Sequence, residues 1–297
     1  MLKIIADRLT GPARRAFRGS YPRFAATVDD NGTPNVVPLL SAVAADENTL
    51  IFARFMIWKT AKNIEKNRRI TINSIGPGLK SWTLKGEFIE YQTKGQYIEF
   101  FNNQALYRYN AYMGINQVGV IRVKAVYEPW PLSLVSSLWK FSRMKSLELK
   151  ILELKSLDRN LASVQGQKAS QQASSLAPPG QVLDKFNRRL ALKCISFVNQ
   201  DGYPFLLPDF TMRLSDKAHL LFAPAPHGHP LSLLTEGMKI AASVLTLGPV
   251  AYQVKGVYKG RKEAGSASVS VVNIEEIYTA SPPVPGKRVM PPEPIPQ

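Results

Sequence analysis

The sequence predicts a mainly β protein with some α: two β-barrel domains in tandem, joined by an amphipathic helical linker. Three observations carry this. "DNGTPNVVP" at 30 to 38 returns as "QDGYPFLLP" at 200 to 208, an offset of 170 residues within a chain of 297. The offset then holds without a gap, setting Phe52-Ala53 on Phe222-Ala223, Ile70 on Ile240, Gly78 on Gly248 and Lys85-Gly86 on Lys255-Gly256. A fixed register of this kind marks a duplicated unit. Finally, each copy consists of short runs rich in β-branched and aromatic residues, separated by turn residues.

In the first copy, "RFAATVDD" and "TPNVVPLLSAVAA" flank an Asp-Asn-Gly turn, where Gly supplies the positive φ of a hairpin. "TLIFARF", "RITINSI", "SWTLKGEFIEY" and "VGVIRVKAVYE" follow as strands. Between "WKT" and "RRI", the run "AKNIEKN" has the length of a short helix, with Thr60 placed to cap its N-terminus. "VIRVKAVY" (120 to 127) matches "VVNIEEIY" (271 to 278) at an offset of 151, so nineteen residues are extra in the first copy. They predict a helix over 93–112.

The domains read as a first barrel at 1–130, a helical and flexible linker at 131–182, a second barrel at 183–280 and a Pro-rich tail at 281–297. Leu134, Leu138, Phe141, Met144, Leu147, Ile151, Leu154, Leu157 and Leu161 recur in steps of three and four, one apolar helix face. That helix suits packing on its own barrels, a dimer contact or a basic membrane surface. "SVQGQKASQQASSLAPPGQ" after it reads as a tether, and "SPPVPGKRVMPPEPIPQ" as an extended arm without regular structure.

Thirty-eight Lys and Arg against 22 Asp and Glu leave a net charge of +16, which favours anionic partners: nucleic acid, acidic lipid or a phosphorylated small molecule. No basic run interleaved with aromatics forms a recognisable nucleic-acid module. Cys194 is the only cysteine, which excludes an intrachain disulfide framework and any paired-Cys metal site, and its strand "ALKCISFV" predicts a buried, inert thiol. A reducing, cytoplasmic setting is expected. The apolar run near the N-terminus is too short for a signal peptide, and no segment reaches the roughly 18 apolar residues of a membrane span. Phosphate-loop, dinucleotide, nucleophile-elbow and zinc-protease motifs are all absent. His227 and His229 alternate in a Pro-rich loop without a third ligand, so no metal site is expected. Nor do carboxylates pair, so no catalytic side chain stands out, and any chemistry falls to a bound cofactor.

The ordered stretch "FAATVDDNGTPNVVPLLSAVAADENTLIFARFMIWKTAKNIEKNRRITINSI…SWTLKGEF" resembles the FMN-binding split β-barrels related to pyridoxamine 5'-phosphate oxidase. The likeness spans 20–127 and, more weakly, 184–278. It implies FMN held between two split barrels, its phosphate at the start of the Lys-Thr-x-x-Asn-Ile helix and its ring along neighbouring strands. On that basis Lys59 is a point charge for the phosphate, Thr60 a hydroxyl donor, Asn63 a group one turn on and Arg54 a second phosphate candidate. Leu39, Leu40 and Ser41 would border the ring, and Lys80, Ser81 and Trp82 would approach it across a barrel interface. Trp82 also suits a core aromatic, and Lys59-Thr60 an exposed lysine beside an ordinary helix start.

The implied activity is an FMN oxidoreductase moving hydride or electrons between a reduced donor, such as a nicotinamide cofactor, and a small-molecule substrate. Deazaflavin, haem and non-catalytic flavin-binding or sensor roles suit the same fold. The second copy departs from the pattern: His229-Pro230 stand opposite Lys59-Thr60, Leu233 opposite Asn63 and Pro224 opposite Arg54. Phosphate is therefore expected at the first copy alone, with the second supplying at most a wall. Whether that wall comes from the same chain or from a homodimer partner stays open.

Overall fold

The computed structural model describes residues 3–104, 114–133, 136–142, 177–225, 229–248, 250–264 and 267–292. The first copy comprises β1 (Ile4–Ala6), α1 (Gly11–Arg18), β2 (Arg23–Val28), β3 (Pro34–Pro38), β4 (Val43–Ala44), β5 (Thr49–Ala53), α2 (Trp58–Lys66), β6 (Arg69–Gly76), β7 (Lys80–Gln92), α3 (Gln96–Asn102), β8 (Val118–Tyr127) and β9 (Trp130–Pro131). Then come α4 (136–142) and the second copy: α5 (Gly180–Phe186), β10 (Leu192–Val198), β11 (Pro204–Pro208), β12 (Arg213–Leu214), β13 (His219–Phe222), β14 (Lys239–Leu245), β15 (Ala251–Ala264), β16 (Ala267–Thr279) and β17 (Arg288–Met290). The sheets run β3-β2-β6-β7-β8-β5-β4 and β11-β10-β14-β15-β16-β13-β12, one topology written twice. These are two tandem split β-barrels.

Local chemistry repeats with the topology. Gly32 and Gly202 take φ of 68° and 73° in equivalent hairpins, each donating its N–H to the carbonyl three residues back, at Asp29 and Asn199. Lys85-Gly86 and Lys255-Gly256 both mark a break in strand register, on β7 against β8 and on β15 against β16. Such an irregularity re-aims the neighbouring side chain, and glycine is needed because the facing strand comes close. Phe17 of α1 and Phe186 of α5 are each fully buried in the core of their own barrel. A third apolar cluster lies between the barrels: Phe24, Ala26 and Val36 meet Cys194, Leu206 and Ala241. Thr71 Oγ1 also donates to the Pro204 carbonyl at 2.6 Å, and Gln253 Nε2 donates to that of Val36.

Several expectations need correction. α2 begins at Trp58 with Ile57 in the cap position, so Thr60 lies inside the first turn instead of capping it. The extra segment is helical over Gln96–Asn102, whereas 105–112 falls outside the described residues. Of the linker helix, 136–142 is helical with Phe141 buried, and 143–161 lies outside the described residues. The tail is not wholly irregular: Arg288–Met290 pairs with β16 and Met290 is buried in the second core. Among the described residues no helix is long and apolar enough to cross a membrane.

A Cβ at Gly256 would lie 1.9 Å from the Asn273 carbonyl oxygen, a backbone atom, whereas one at Gly86 would meet the Ile121 Cγ2 methyl at 2.4 Å. Overpacking typically costs about 1–3 kcal/mol, so Gly256→Ala should reach at least the top of that range and Gly86→Ala less. Urea unfolding midpoints of the two variants check the order.

A candidate anion-binding crevice between the barrels

The chain leaves β5 through a tight turn in which Met56 adopts φ 56°, and α2 then starts beside the second barrel. Asn35, Val37 and Pro38 of β3 and Lys59 and Thr60 of α2 form one side of a crevice. Gln253 of β15, Tyr278 and Thr279 of β16 form the other. Lys59 Nζ stands 4.7 Å from the centroid of the Tyr278 ring, a cation–π contact across the interface. Thr60 is buried, and its Oγ1 accepts from Asn35 Nδ2 at 3.1 Å. Asn63, also buried, donates from Nδ2 to Thr27 Oγ1 at 3.0 Å. These bonds tie the helix start to β2 and β3.

Lys255 lies behind Tyr278, its Nζ 5.9 Å from the same ring centroid. It is only 2% exposed, and its Nζ donates no hydrogen bond among the described residues. Burial first, and the neighbouring Lys59 second, lower its pKa from 10.5 to about 7. Asp29 and Glu276 act in the opposite sense but are engaged elsewhere. Asp29 Oδ1 accepts from the N–H groups of Asn31 and Thr33, and Glu276 pairs with Arg288 at 3.8 Å. Asp30, in the same turn, pairs with Lys66.

The equivalent place in the other half is neutralised from within. Lys85, the counterpart of Lys255, pairs with Asp201 and sits over the rings of Tyr203 and Tyr127, at 4.9 and 5.6 Å. Burial opposes its charge, but Asp201 and Tyr127 outweigh burial and raise its pKa above the ordinary value. His229, opposite Lys59 in register, accepts from the Leu231 N–H at 3.2 Å and meets the edge of Trp130 at 4.9 Å between centroids. Burial, then Lys140, lowers its pKa, so it offers no cation at neutral pH. His227 falls outside the described residues.

Of the residues singled out by sequence, the structure brings Lys59 and Thr60 to this crevice. Arg54 instead pairs with Glu65 at 3.3 Å, bonds Gln117 and covers the Tyr91 ring at 4.7 Å. Leu39 is in the first core, and Leu40 and Ser41 line a separate inter-barrel cavity of about 530 Å³. Ser41 Oγ also accepts from the Ala53 N–H at 3.2 Å. Lys80 is exposed, Ser81 accepts from Asn73 Nδ2 at 2.6 Å, and Trp82 packs in the first core, its other reading. Sequence reasoning missed Trp58, which is 68% exposed at the crevice, the second barrel's Gln253 and Tyr278, and Lys255 behind Tyr278. The repeated Lys-Gly pair was the available signal for Lys255.

Pro285 and Gly286 of the returning tail close the crevice, leaving a free volume of about 30 Å³. Small-ligand pockets run to about 300 Å³ or more, so this space is smaller than a planar ring system needs. Two lysines and the free N–H groups of a helix start, with Asp29 bonded within its turn and Glu276 paired with Arg288, suit a phosphate group. Among the described residues no group of His, Cys, Asp and Glu could hold a metal ion.

No protein-family model and no curated protein matches the chain. It is similar to solved split-barrel structures, each alignment spanning about the length of one barrel. One is HupZ of Group A Streptococcus, 28% identical over 41% of this chain and 99% of that one, with a TM-score of 0.33. Another is an FMN-binding protein from Syntrophomonas wolfei, 18% identical over 42% of this chain and 88% of that one, with a TM-score of 0.36. A proposed pyridoxamine 5'-phosphate oxidase from Lactobacillus delbrueckii is 18% identical over 43% of this chain and 100% of that one, also at 0.36.

Lys193 too is buried, its pKa lowered to about 7 first by desolvation, with Arg213 adding and Asp209 opposing. Lysines that lose their proton more easily when folded destabilise the fold below about pH 7, and that penalty is relieved as pH rises toward 10.5. Without ligand, stability should therefore gain from both residues between those pH values. Lys255→Met and Lys193→Met should each flatten the rise, measured by urea titration at pH 7, 8.5 and 10.

Proposed function

We propose that the protein binds FMN between its two barrels and uses it as an oxidoreductase cofactor. The observation that carries this reading is the position of Lys59 and Thr60 in the first turn of α2, opening on a crevice whose far wall is the second barrel of the same chain. The split-barrel topology and the Lys-Thr-x-x-Asn-Ile segment, which resembles the FMN-binding barrels, point the same way. When bound, FMN supplies hydride and single-electron transfer, chemistry that no side chain described here performs.

The chain's own part is to bind and orient. Lys59 meets the phosphate charge, the helix N–H groups complete its hydrogen bonds, and the Asn35–Thr60 bond fixes the helix start against β3. Tyr278 and the exposed Trp58 offer aromatic surface at the same crevice. The electron donor is a nicotinamide cofactor or another reduced small molecule, reaching the crevice from solvent; the net charge of +16 favours anionic donors of this kind.

A charge-assisted hydrogen bond contributes about 1.5–3 kcal/mol, so Lys59→Ala should weaken FMN by roughly one to two powers of ten. His229→Ala, at the corresponding position of the second copy, should change it little. Flavin fluorescence titration of both variants measures this. Equal losses, or none for Lys59→Ala, would reject the assignment.

A further inference from the structure

In the second copy, the hairpin turn at 199 to 205 reads "NQDGYPF"; in the first, at 29 to 35, it reads "DDNGTPN". Each turn meets the other barrel, as Asp201 with Lys85 and the Asn31 carbonyl with Lys239 show. At the pseudo-equivalent positions, Asn31 replaces Asp201 and Thr33 replaces Tyr203. Lys85 thus has an internal carboxylate and a second aromatic ring, and Lys255 has neither in contact.

A buried ammonium without a partner is costly, and placing a second ammonium beside it costs more. The fold nevertheless brings Lys59 from the first barrel and Lys255 from the second to the ring of Tyr278, at 4.7 and 5.9 Å from its centroid. The nearby carboxylates are held in a turn and by Arg288. A counter-ion from outside the chain would relieve both charges together.

We infer that Lys59 and Lys255 form a composite site for a phosphomonoester, one per chain, in which the second barrel contributes a binding cation as well as a wall. This rests on the FMN reading for the identity of the ester but not for the existence of the anion site. The same position in the other half is closed to anions, because Asp201 already occupies the place of the phosphate.

Two variants test it on the full chain. Lys255→Met keeps the side chain's length and removes its charge; Asn31→Asp places a carboxylate where Asp201 stands in the mirror turn. Without ligand, both should melt at higher temperature than the parent, since each relieves the unpaired charge. Inorganic phosphate should raise the melting temperature of the parent and leave both variants unmoved, and FMN affinity should fall about tenfold or more in each. Riboflavin, which lacks the phosphate, should bind parent and variants alike. If phosphate protects only the parent while neither flavin binds, the anion site stands and the FMN reading falls. If FMN and phosphate bind both variants as tightly as the parent, or if both variants melt lower in the absence of ligand, the composite site is wrong even where the FMN reading survives.

Discussion

The contact between the two barrels is the constraint on which the rest depends. The first copy presents β2, β3 and β6 and the second β10, β11 and β14, and the apolar patch at Phe24, Val36, Cys194 and Leu206 holds those faces together. At the edges of that patch, Lys85 of the first Lys-Gly irregularity meets Asp201 in the hairpin turn of the second barrel, and Lys255 of the second is buried near Lys59 of the first. Burying an ammonium there is tolerable only if something answers its charge.

The duplication lets the chain answer it in two ways. One copy keeps Asp201 and two tyrosine rings around Lys85, an internally balanced arrangement whose raised pKa reports a stabilised charge. The other leaves Lys255 beside Lys59, with its pKa lowered to about 7 by burial and then by that neighbour. The first lysine's charge is answered from within the chain, and the second is the one at which we place the anion. In an assembly of identical barrels both sites would be alike, whereas a tandem chain can set them separately through residues such as Asn31 and Asp201.

Much of the architecture was legible because it rests on local signals that survive duplication. Turn glycines at 32 and 202 need positive φ, and the strands between them carry β-branched runs in one register. Among the elements that escaped, two show the physical reasons. Helix α1 begins at Gly-Pro and is only eight residues long, so its buried positions Ala13, Ala16 and Phe17 complete the i, i+3, i+4 pattern only once, with two small residues of three. The tail strand depends on pairing with β16, a distant partner that composition does not reveal. At the site, Lys59 and Thr60 were legible because the helix start is a local feature. Arg54 was drawn away by Glu65, Gln117 and Tyr91, partners set by tertiary folding. Lys255 was visible in the repeat, yet its burial near Lys59 is set by how the two barrels pack.

The most direct test of the account is the pKa of the Lys255 amine itself, followed by NMR of the selectively labelled side chain with and without inorganic phosphate. Near 7 in the free protein, as its burial dictates, it should rise toward the ordinary lysine value when phosphate is added, because an anion in the crevice favours the charged form. A pKa that stays put while phosphate saturates the protein would mean that the anion binds elsewhere and that the two lysines do not share it.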